Sequence, residues 1–237
     1  LNSPSDIERA RLARELVRRA VDLGYSVHVV DGGSPDELLS DLQGYGAKIL
    51  QESILGSKSM GQGRRYAIQS AMDSGRSVLA WIEPEKAPLI PILSDAIIPI
   101  LEENVDIVVP RRRSMESYPT AQRYAEPLGN DFWKKLTMTD LDMWFGPRIF
   151  TSGAAKYFLN YRGEYGDKWD SIFIPVMDAL YCGKRVLSVE VDYIHPASQT
   201  LVEENDISFH RKRTDQLKNL WDSFEAHWKK LNLVQAK

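Results

Sequence analysis

Two glutamates on either side of a proline, Glu83-Pro84-Glu85, form the sharpest chemical pattern in the sequence. In extended chain, side chains two residues apart fall on the same side, and Pro84 keeps Glu83 out of helical geometry. Two converging carboxylates can bind Mg²⁺ or Mn²⁺ while diphosphate oxygens take the ion's remaining positions. The same residues also suit a solvent-exposed turn in which Pro84 begins a helix and the acids favour its positive end. The sequence leaves both interpretations open.

Two further segments place glycines beside groups that could hold a phosphorylated ligand. The first is Asp31-Gly32-Gly33-Ser34, and the second is Gly61-Gln62-Gly63-Arg64-Arg65. Glycine lets backbone N–H groups approach an anion, and an arginine can bind phosphate through two parallel hydrogen bonds. No Gly-Lys-Ser/Thr follows the second segment, so it is not a Walker motif. An ordinary loop before a helix explains it equally well.

The helices and strands that position these segments can be predicted from the periodicity of apolar residues along the chain. Apolar runs predict buried strands at 25–30, 47–51, 77–82 and 105–109, and a later alternating run predicts a half-exposed strand at 186–193. Strand and helix in strict alternation predict an α/β fold with a mostly parallel sheet flanked by helices. Because ligands bind beyond the carboxyl ends of such strands, we expect the three segments to share one edge with the run Arg111-Arg112-Arg113.

The second half of the chain is less regular, because residues 111–148 are rich in prolines, aromatics and charges without a clean period. We therefore expect a single α/β domain over residues 1–237, with an irregular insert in the part after residue 110. Arg111-Arg112-Arg113 is a dense basic run that suits either a phosphate-facing surface or a solvated face.

Composition narrows the class of protein. The chain has 237 residues, of which 43% are hydrophobic and 27% charged, so it can bury a sizeable core. A formal net charge of −3 argues against nucleic acid as a partner. The only cysteine, Cys182, excludes an internal disulfide and a multi-cysteine zinc site, and it is compatible with a cytoplasmic protein. No apolar stretch has the length of a membrane span.

The order of these segments resembles the nucleotide-sugar-binding half of GT-A glycosyltransferases. Residues 29–36 resemble a Val-Asp-Asp-Gly-Ser stretch after an early strand, and Gly61–Arg65 resembles a Gly-x-Gly-x-Ala-Arg stretch. Glu83-Pro84-Glu85 stands where those enzymes carry Asp-x-Asp. The resemblance is strongest to family-two enzymes and their relatives that make mannosylglycerate and glucosylphosphoglycerate, and it covers residues 1–110. It implies metal-assisted transfer of a sugar from a nucleoside-diphosphate donor to an unidentified acceptor.

The resemblance also implies roles for single residues in the first half. Donor-binding positions would be Asp31, Gly32 and Ser34 near the nucleoside, and Gly63, Arg64 and Arg65 near the diphosphate. Metal-binding positions for Mn²⁺ or Mg²⁺ would be Glu83 and Glu85. Residues 111–237 would then form the acceptor side of the enzyme.

Two predicted acceptor residues, Trp144 and Arg148, lie where such enzymes have an acceptor-binding loop. An exposed tryptophan can stack on a sugar face, and an arginine can hold an acidic acceptor. Packing of Trp144 on the core is an equally good explanation.

Three further residues match positions of catalytic or metal-binding groups in relatives. Asp167 and Asp170 resemble an acidic helix start from which inverting relatives take a base, although helix capping explains them too. His195 follows the late strand, where retaining relatives place a metal-binding histidine, although a turn residue is the simpler interpretation. An aspartate base favours inversion, whereas His195 without a base suits retention.

Three alternatives to a glycosyltransferase remain open. A nucleotidyltransferase would share the sheet and the metal, and an S-adenosylmethionine-dependent methyltransferase would share the α/β class. The third alternative is a catalytically silent relative that binds a partner, which the change from Asp-x-Asp to Glu-Pro-Glu favours.

Overall fold

A computed structural model describes residues 4–235, with side chains described for residues 6–233. The helices are α1 (Pro4–Asp22), α2 (Asp36–Gly44), α3 (Glu52–Leu55), α4 (Met60–Met72), α5 (Leu93–Glu102), α6 (Thr120–Thr137), α7 (Ala155–Asn160), α8 (Ile174–Tyr181), α9 (Ala197–Glu204) and α10 (Ile207–Gln235). The strands are β1 (His28–Asp31), β2 (Lys48–Gln51), β3 (Val78–Trp81), β4 (Ile107–Arg112), β5 (Arg148–Thr151) and β6 (Val186–Val191). Short 3-10 helices cover Pro84–Ile92, Met143–Phe145 and Trp169–Ile172.

The strands form two separate sheets. One is the parallel pair β1-β2, and the other has the order β3-β5-β4-β6. Strand β5 is antiparallel to both of its neighbours, whereas β4 and β6 are parallel. The predicted α/β class with a mostly parallel sheet and flanking helices is confirmed, although β5 makes the larger sheet mixed rather than purely parallel. The difference arises at β5, a short strand from the stretch without a clean period, which inserts between β3 and β4.

Strand β4 lies at the centre of the larger sheet and is buried on both faces. Ile107 and Val109 pack in one core cluster with Phe150, while Val108 packs in the other with Ile149. Successive side chains of a strand point to opposite faces, so an apolar side chain is needed at each of these positions. This double burial explains why the strand is a continuous apolar run in the sequence.

Helix α4 fixes the relative direction of β1 and β3. Near its beginning, the Arg64 guanidinium lies 5.4 Å from the ring of Trp81, the last residue of β3. Near its end, Ser70 hydrogen-bonds to His28, the first residue of β1, at 2.9 Å. The helix therefore runs antiparallel to both strands, and their carboxyl ends meet at one edge. Among residues 4–235, no helix is both long enough and apolar enough to cross a bilayer.

Candidate functional site

The three segments predicted to share an edge do meet at the carboxyl ends of β1 and β3. Asp31 is the last residue of β1, and Glu83 follows β3 as the residue before a 3-10 helix. The first turn of α4 lies beside both, because a Cβ atom at Gly63 would come within 3.1 Å of Val30 in β1. This edge is where open α/β sheets bind ligands.

The Asp31 loop is closed by its own side chain. The Asp31 carboxylate accepts hydrogen bonds from the backbone N–H groups of Gly33 and Ser34, at 2.8 and 2.9 Å. Gly33 has a φ of +121°, a conformation that favours glycine. The loop is therefore preformed by internal hydrogen bonds, which leave Asp31 with only its remaining lone pairs for any ligand.

Glu52 is a site residue that the sequence analysis missed. Its carboxylate lies against both glycine segments: a Cβ atom at Gly32 would be 3.1 Å from Glu52 Oε2, and one at Gly63 would overlap Oε1. Ser57 donates a hydrogen bond to the same carboxylate at 3.3 Å. The absence of side chains at the two glycines thus leaves room for the Glu52 carboxylate. The strand-ending position of Glu52, just after β2, was the signal that could have identified it.

Arg64 links α4 by hydrogen bonds to residues in the second half of the chain. Its buried guanidinium donates hydrogen bonds to the Lys168 carbonyl and to Ser171 Oγ, the latter at 2.7 Å. Burial lowers the pKa of Arg64, although the charge of Glu83 acts in the opposite direction. In this arrangement the side chain supports the fold beneath the edge.

Arg65 and Asp167, predicted as a diphosphate ligand and as a base, bind one another. Two guanidinium N–H groups donate to the Asp167 carboxylate at 2.7 and 2.8 Å, and Ser59 at the start of α4 donates to the same group. The hydrogen bond to Asp167 raises the pKa of Arg65. Burial raises the pKa of Asp167, but the bonds from Arg65 and Ser59 outweigh it and hold that pKa below its ordinary value. An internal carboxylate therefore occupies the positive end of α4.

Asp170, the other predicted base, organises a loop. It is only 3% exposed, and its carboxylate accepts hydrogen bonds from Tyr161 and from the backbone N–H groups of Asp167 and Lys168. These bonds close the loop before the 3-10 helix Trp169–Ile172, which begins without a side-chain cap, so the expected capping is not what they provide. A general base must reach an acceptor hydroxyl, and this carboxylate is enclosed by protein groups.

The two glutamates of the Glu-Pro-Glu pattern do not share one extended segment. Glu83 is extended, with φ −73° and ψ 149°, but Pro84 begins a 3-10 helix that includes Glu85. The prediction that the pair is held extended is therefore wrong for Glu85, because proline favours the first turn of a helix. Glu83 faces Gly146, where a Cβ atom would lie 2.6 Å from its carboxylate, while Glu85 pairs with Arg9 at 3.5 Å.

The two carboxylates also differ in their electrostatics. Burial raises the pKa of Glu83, with Lys86 opposing the effect and Glu85 adding to it. Burial raises the pKa of Glu85 as well, but Arg9 and Lys86 outweigh it, so that pKa lies below its ordinary value. Glu83 is thus the group of the pair that would gain most from a further cation.

Lys86 and Arg112 are two buried cations that lie over the same aromatic rings, and the sequence analysis did not identify them as a pair. The Lys86 ammonium lies 5.2 to 5.4 Å from the ring centres of Tyr118, Phe145 and Tyr193. The Arg112 guanidinium lies over two of the same rings and forms ion pairs with two carboxylates, those of Asp142 and Glu126. Arg112 is therefore neither phosphate-facing nor solvated, although its neighbours in the basic run are more exposed.

The predicted acceptor residues are buried. Trp144 is 7% exposed and packs against Phe173 and Phe224, with ring centres 4.9 and 5.8 Å away. The expectation of an exposed tryptophan is wrong, because its ring fills the space left by Gly129. Arg148 is fully buried and donates to the backbone carbonyls of residues 143, 146 and 147. Burial lowers the pKa of Arg148 to about 10.

His195 is enclosed as well. Its ring stacks on Tyr118 at 4.3 Å, and Nε2 lies 3.3 Å from Glu203, while Nδ1 is buried without a hydrogen-bond partner. Burial lowers the pKa of His195, with Glu203 opposing the effect. The imidazole is thus held neutral inside the protein by its surroundings.

The described side chains do not by themselves supply enough ligands for a divalent metal ion. Among the described residues, no group of three histidine, cysteine or acidic side chains is arranged to hold a metal ion, so Glu83, Glu85 and His195 do not form one. However, Oε2 of both glutamates is buried and accepts no hydrogen bond. Carboxylate oxygens suit Mg²⁺ or Mn²⁺ where a diphosphate supplies further ligands. The Glu85 oxygen lies 3.5 Å from the Arg9 guanidinium, so Glu83 offers the freer ligand of the two.

The architecture is the GT-A fold. Glucosyl-3-phosphoglycerate synthase from Mycobacterium tuberculosis, in complex with Mn²⁺, UDP-glucose and phosphoglyceric acid, has a TM-score of 0.65 at 13% identity, over 92% of this chain and 76% of that one. Another structure of that synthase gives 0.62 at 12% identity, over 90% and 76%. A mycobacterial protein gives 0.63 at 14% identity, over 90% and 70%. No family model and no curated protein sequence matches the chain.

Proposed function

We propose that the protein transfers a glycosyl group from a nucleoside-diphosphate sugar to an acceptor whose identity is open. The observation that carries the proposal is the meeting of Asp31, the start of α4 and Glu83 at one edge of a GT-A fold. Solved structures with this fold include a synthase bound to Mn²⁺, UDP-glucose and phosphoglyceric acid, which supports the donor class.

Within this proposal, each residue of the edge has a definable task. The Asp31 loop faces the nucleoside, and Arg65 turns from Asp167 to the diphosphate as the donor enters. Glu83 and Glu85 would hold Mn²⁺ or Mg²⁺, and such an ion stabilises the negative charge of a departing diphosphate. Arg64 stays in place and keeps α4 at a fixed distance from β3.

The stereochemical course follows from whether Asp167 can act as a base. When Arg65 binds the donor, Asp167 loses its strongest partner and becomes free to accept a proton from an acceptor hydroxyl. Inversion would then use Asp167, while Asp170 positions it by accepting its backbone N–H at 3.1 Å. Retention would need no such base, and Asp167→Asn would then leave turnover unchanged.

A catalytically silent binding protein is the second candidate, and one observation favours it. The carboxylates of Glu52 and Asp167 lie against the glycine segments and the start of α4, where an anionic donor would bind. If the two carboxylates stay in place when a donor approaches, their negative charge repels the diphosphate. The protein would then bind a partner through another surface.

Thermal unfolding with a ligand panel separates these candidates. UDP, GDP, CTP and S-adenosylmethionine are each added with and without Mn²⁺, because a ligand at 100 times its dissociation constant adds about 2.7 kcal/mol of stability. The proposal predicts a manganese-dependent rise in Tm with a nucleoside diphosphate. Glu83→Gln should abolish the rise, and Glu102→Ala, at an exposed glutamate, should retain it.

Each other outcome has a definite meaning. A shift with CTP alone favours a nucleotidyltransferase, and a shift with S-adenosylmethionine alone favours a methyltransferase. Silence across the panel contradicts the glycosyltransferase and supports the binding protein.

A further inference from the structure

The carboxylate of Glu52 lies between two segments of the candidate site. Strands β1 and β2 are parallel, and Asp31 lies opposite Gln51 in their ladder. Glu52 is the next residue of the chain, so it lies beside the Asp31 loop. An added Cβ atom at Gly32 would lie 3.1 Å from Glu52 Oε2, and one at Gly63 would overlap Oε1. The side chain therefore borders both the Asp31 loop and the first turn of α4.

One oxygen of this carboxylate is bound within the protein, and the other is open. Ser57 donates a hydrogen bond to Oε1 at 3.3 Å. In the described part of the chain, no group donates to Oε2, and no lysine or arginine forms an ion pair with Glu52. Glu52 is half-buried, and Gly32 beside its Oε2 is exposed. Because an ionised carboxylate has about four acceptor sites, Glu52 can accept further hydrogen bonds from a ligand.

Asp31, the other acid at the ends of β1 and β2, is less available. Its carboxylate already accepts hydrogen bonds from the backbone N–H groups of Gly33 and Ser34, and these bonds hold the loop closed. A ligand that took the place of either bond would open the loop. Glu52 is therefore the acid with the greater capacity to bind a ligand here.

The position of Glu52 matches the ribose of a bound donor. In the proposed function, the nucleoside lies at the Asp31 loop and the diphosphate at the start of α4. Ribose joins these two parts of a nucleoside diphosphate, so a side chain that borders both segments lies level with it. Ribose offers two neighbouring hydroxyl groups, and a carboxylate can accept a hydrogen bond from each. In dinucleotide-binding α/β folds, an acidic residue binds a ribose hydroxyl in the same way.

The negative charge of Glu52 also favours ribose over a phosphate group as its partner. A diol is uncharged and donates two hydrogen bonds, whereas a phosphate at the same place would be repelled. Hydrogen bonds to an ionised acceptor are stronger than those between neutral groups. The carboxylate therefore selects a ligand group that is neutral and donates hydrogen bonds.

We propose that Glu52 binds the 2′- and 3′-hydroxyl groups of the donor's ribose and makes the site selective for ribonucleotides over 2′-deoxyribonucleotides. The inference rests on the proposed nucleotide-sugar transfer and adds to it the residue that recognises the sugar of the nucleoside. Ser57 is a positioning residue, because its hydrogen bond holds one oxygen of the carboxylate in place.

Binding of UDP and 2′-deoxy-UDP to the full chain tests this selectivity. Calorimetric titration with Mn²⁺ present gives the ratio of the two dissociation constants, and GDP with 2′-deoxy-GDP gives the ratio for a second base. The unmodified protein should bind the ribonucleotide about tenfold more tightly or more, because the deoxynucleotide lacks a hydrogen bond to a charged group. In Glu52→Gln the ratio should fall close to one, because the amide has a single acceptor oxygen and Ser57 donates to it.

The matched control is Glu37→Gln, which removes the same charge from an exposed position in the first turn of α2. It should retain the ratio of the unmodified protein. An equal loss of selectivity in this control would assign the effect to the net charge of the edge and overturn the inference. The Tm of each variant without nucleotide shows whether it is folded. If Glu52→Gln does not fold, Ser57→Ala replaces it, and an unchanged ratio in that variant would overturn the inference.

The remaining outcomes separate this inference from the proposed function. Equal affinity for UDP and 2′-deoxy-UDP in the unmodified protein, or a ratio that Glu52→Gln retains, overturns the role of Glu52 and leaves nucleotide binding in place. If Glu52→Gln binds both nucleotides more tightly by the same factor, Glu52 only repels the diphosphate, and the inference is wrong. If no nucleoside diphosphate binds, the inference and the proposed function fail together.

Discussion

At the scale of single residues, the charges of the candidate site are paired with one another. Arg65 binds Asp167 through two hydrogen bonds, and Glu85 pairs with Arg9. Glu83 has no hydrogen bond to Oε2 and keeps a raised pKa because of its burial. A ligand that binds here must therefore compete with the Asp167 carboxylate for Arg65, and Glu83 is the group that a cation would stabilise most.

The Arg65–Asp167 pair gives a pH-dependent prediction. Asp167→Asn should lower the free energy of unfolding at pH 7 by about 1 to 2 kcal/mol, because it replaces a charge-assisted bond. The folded pKa of Asp167 lies below its ordinary value, so its stabilisation is complete above about pH 4 and is lost as the pH falls through the folded pKa. Urea unfolding of both proteins from pH 7 to pH 3 should show the difference shrinking only below about pH 4.

The matched control for this pair is Asp131→Asn. Asp131 pairs with Lys135 within one helix, and both side chains are more than half exposed. An exposed pair of this kind contributes about 0.5 kcal/mol or less. A loss in Asp167→Asn no larger than in this control, or one that does not change with pH, would contradict the account of the pair.

At the scale of secondary-structure elements, α6 is held against the core by the absence of a side chain at Gly129. A Cβ atom there would lie 2.7 to 2.8 Å from ring atoms of Trp144. That ring also contacts Phe173, just before α8, and Phe224 of α10, so it cannot turn aside without displacing them. Trp144 was predicted to stack on a sugar. Because α6 packs closely on the 3-10 helix Met143–Phe145, Trp144 is instead part of the core.

Gly129→Ala tests this packing. Alanine favours a helix over glycine by about 1 kcal/mol, whereas overpacking a rigid core typically costs about 1 to 3 kcal/mol. We expect the second effect to win and the free energy of unfolding in urea to fall by about 1 kcal/mol.

Gly44→Ala is the control, since Gly44 ends α2 with no atom within 4 Å of an added Cβ. It should be neutral or stabilising. A stabilised Gly129→Ala variant would mean that α6 moves freely over Trp144.

At the scale of the whole molecule, the apolar runs of the sequence predict most of the architecture. The runs at 77–82 and 105–109 contain β3 and the start of β4, and β4 is continuously apolar there because it is buried on both faces. Strand β5 escaped prediction because its four residues begin with Arg148, whose charge is satisfied by backbone carbonyls rather than by solvent. The mixed direction of the sheet follows from that one strand.

The candidate site was predictable in its location but not in its contacts. Strand ends mark the edge, so Asp31 and Glu83 could be placed there from spacing alone. The partners of the charged residues could not be, because Asp167 is 102 residues from Arg65 and their pairing depends on tertiary structure. Lys86 was missed for the same reason, since the aromatic rings around it come from distant segments, whereas Glu52 could have been found from its position just after β2.

The position of manganese in crystals soaked with Mn²⁺ and UDP tests the central claim most directly. The account predicts an anomalous-scattering peak that is bonded to Glu83 and to the diphosphate, with the Arg65 guanidinium turned from Asp167 toward the phosphates. Manganese and nucleotide bound elsewhere, with Glu83 still against Gly146 and the Arg65–Asp167 pair intact, would contradict it.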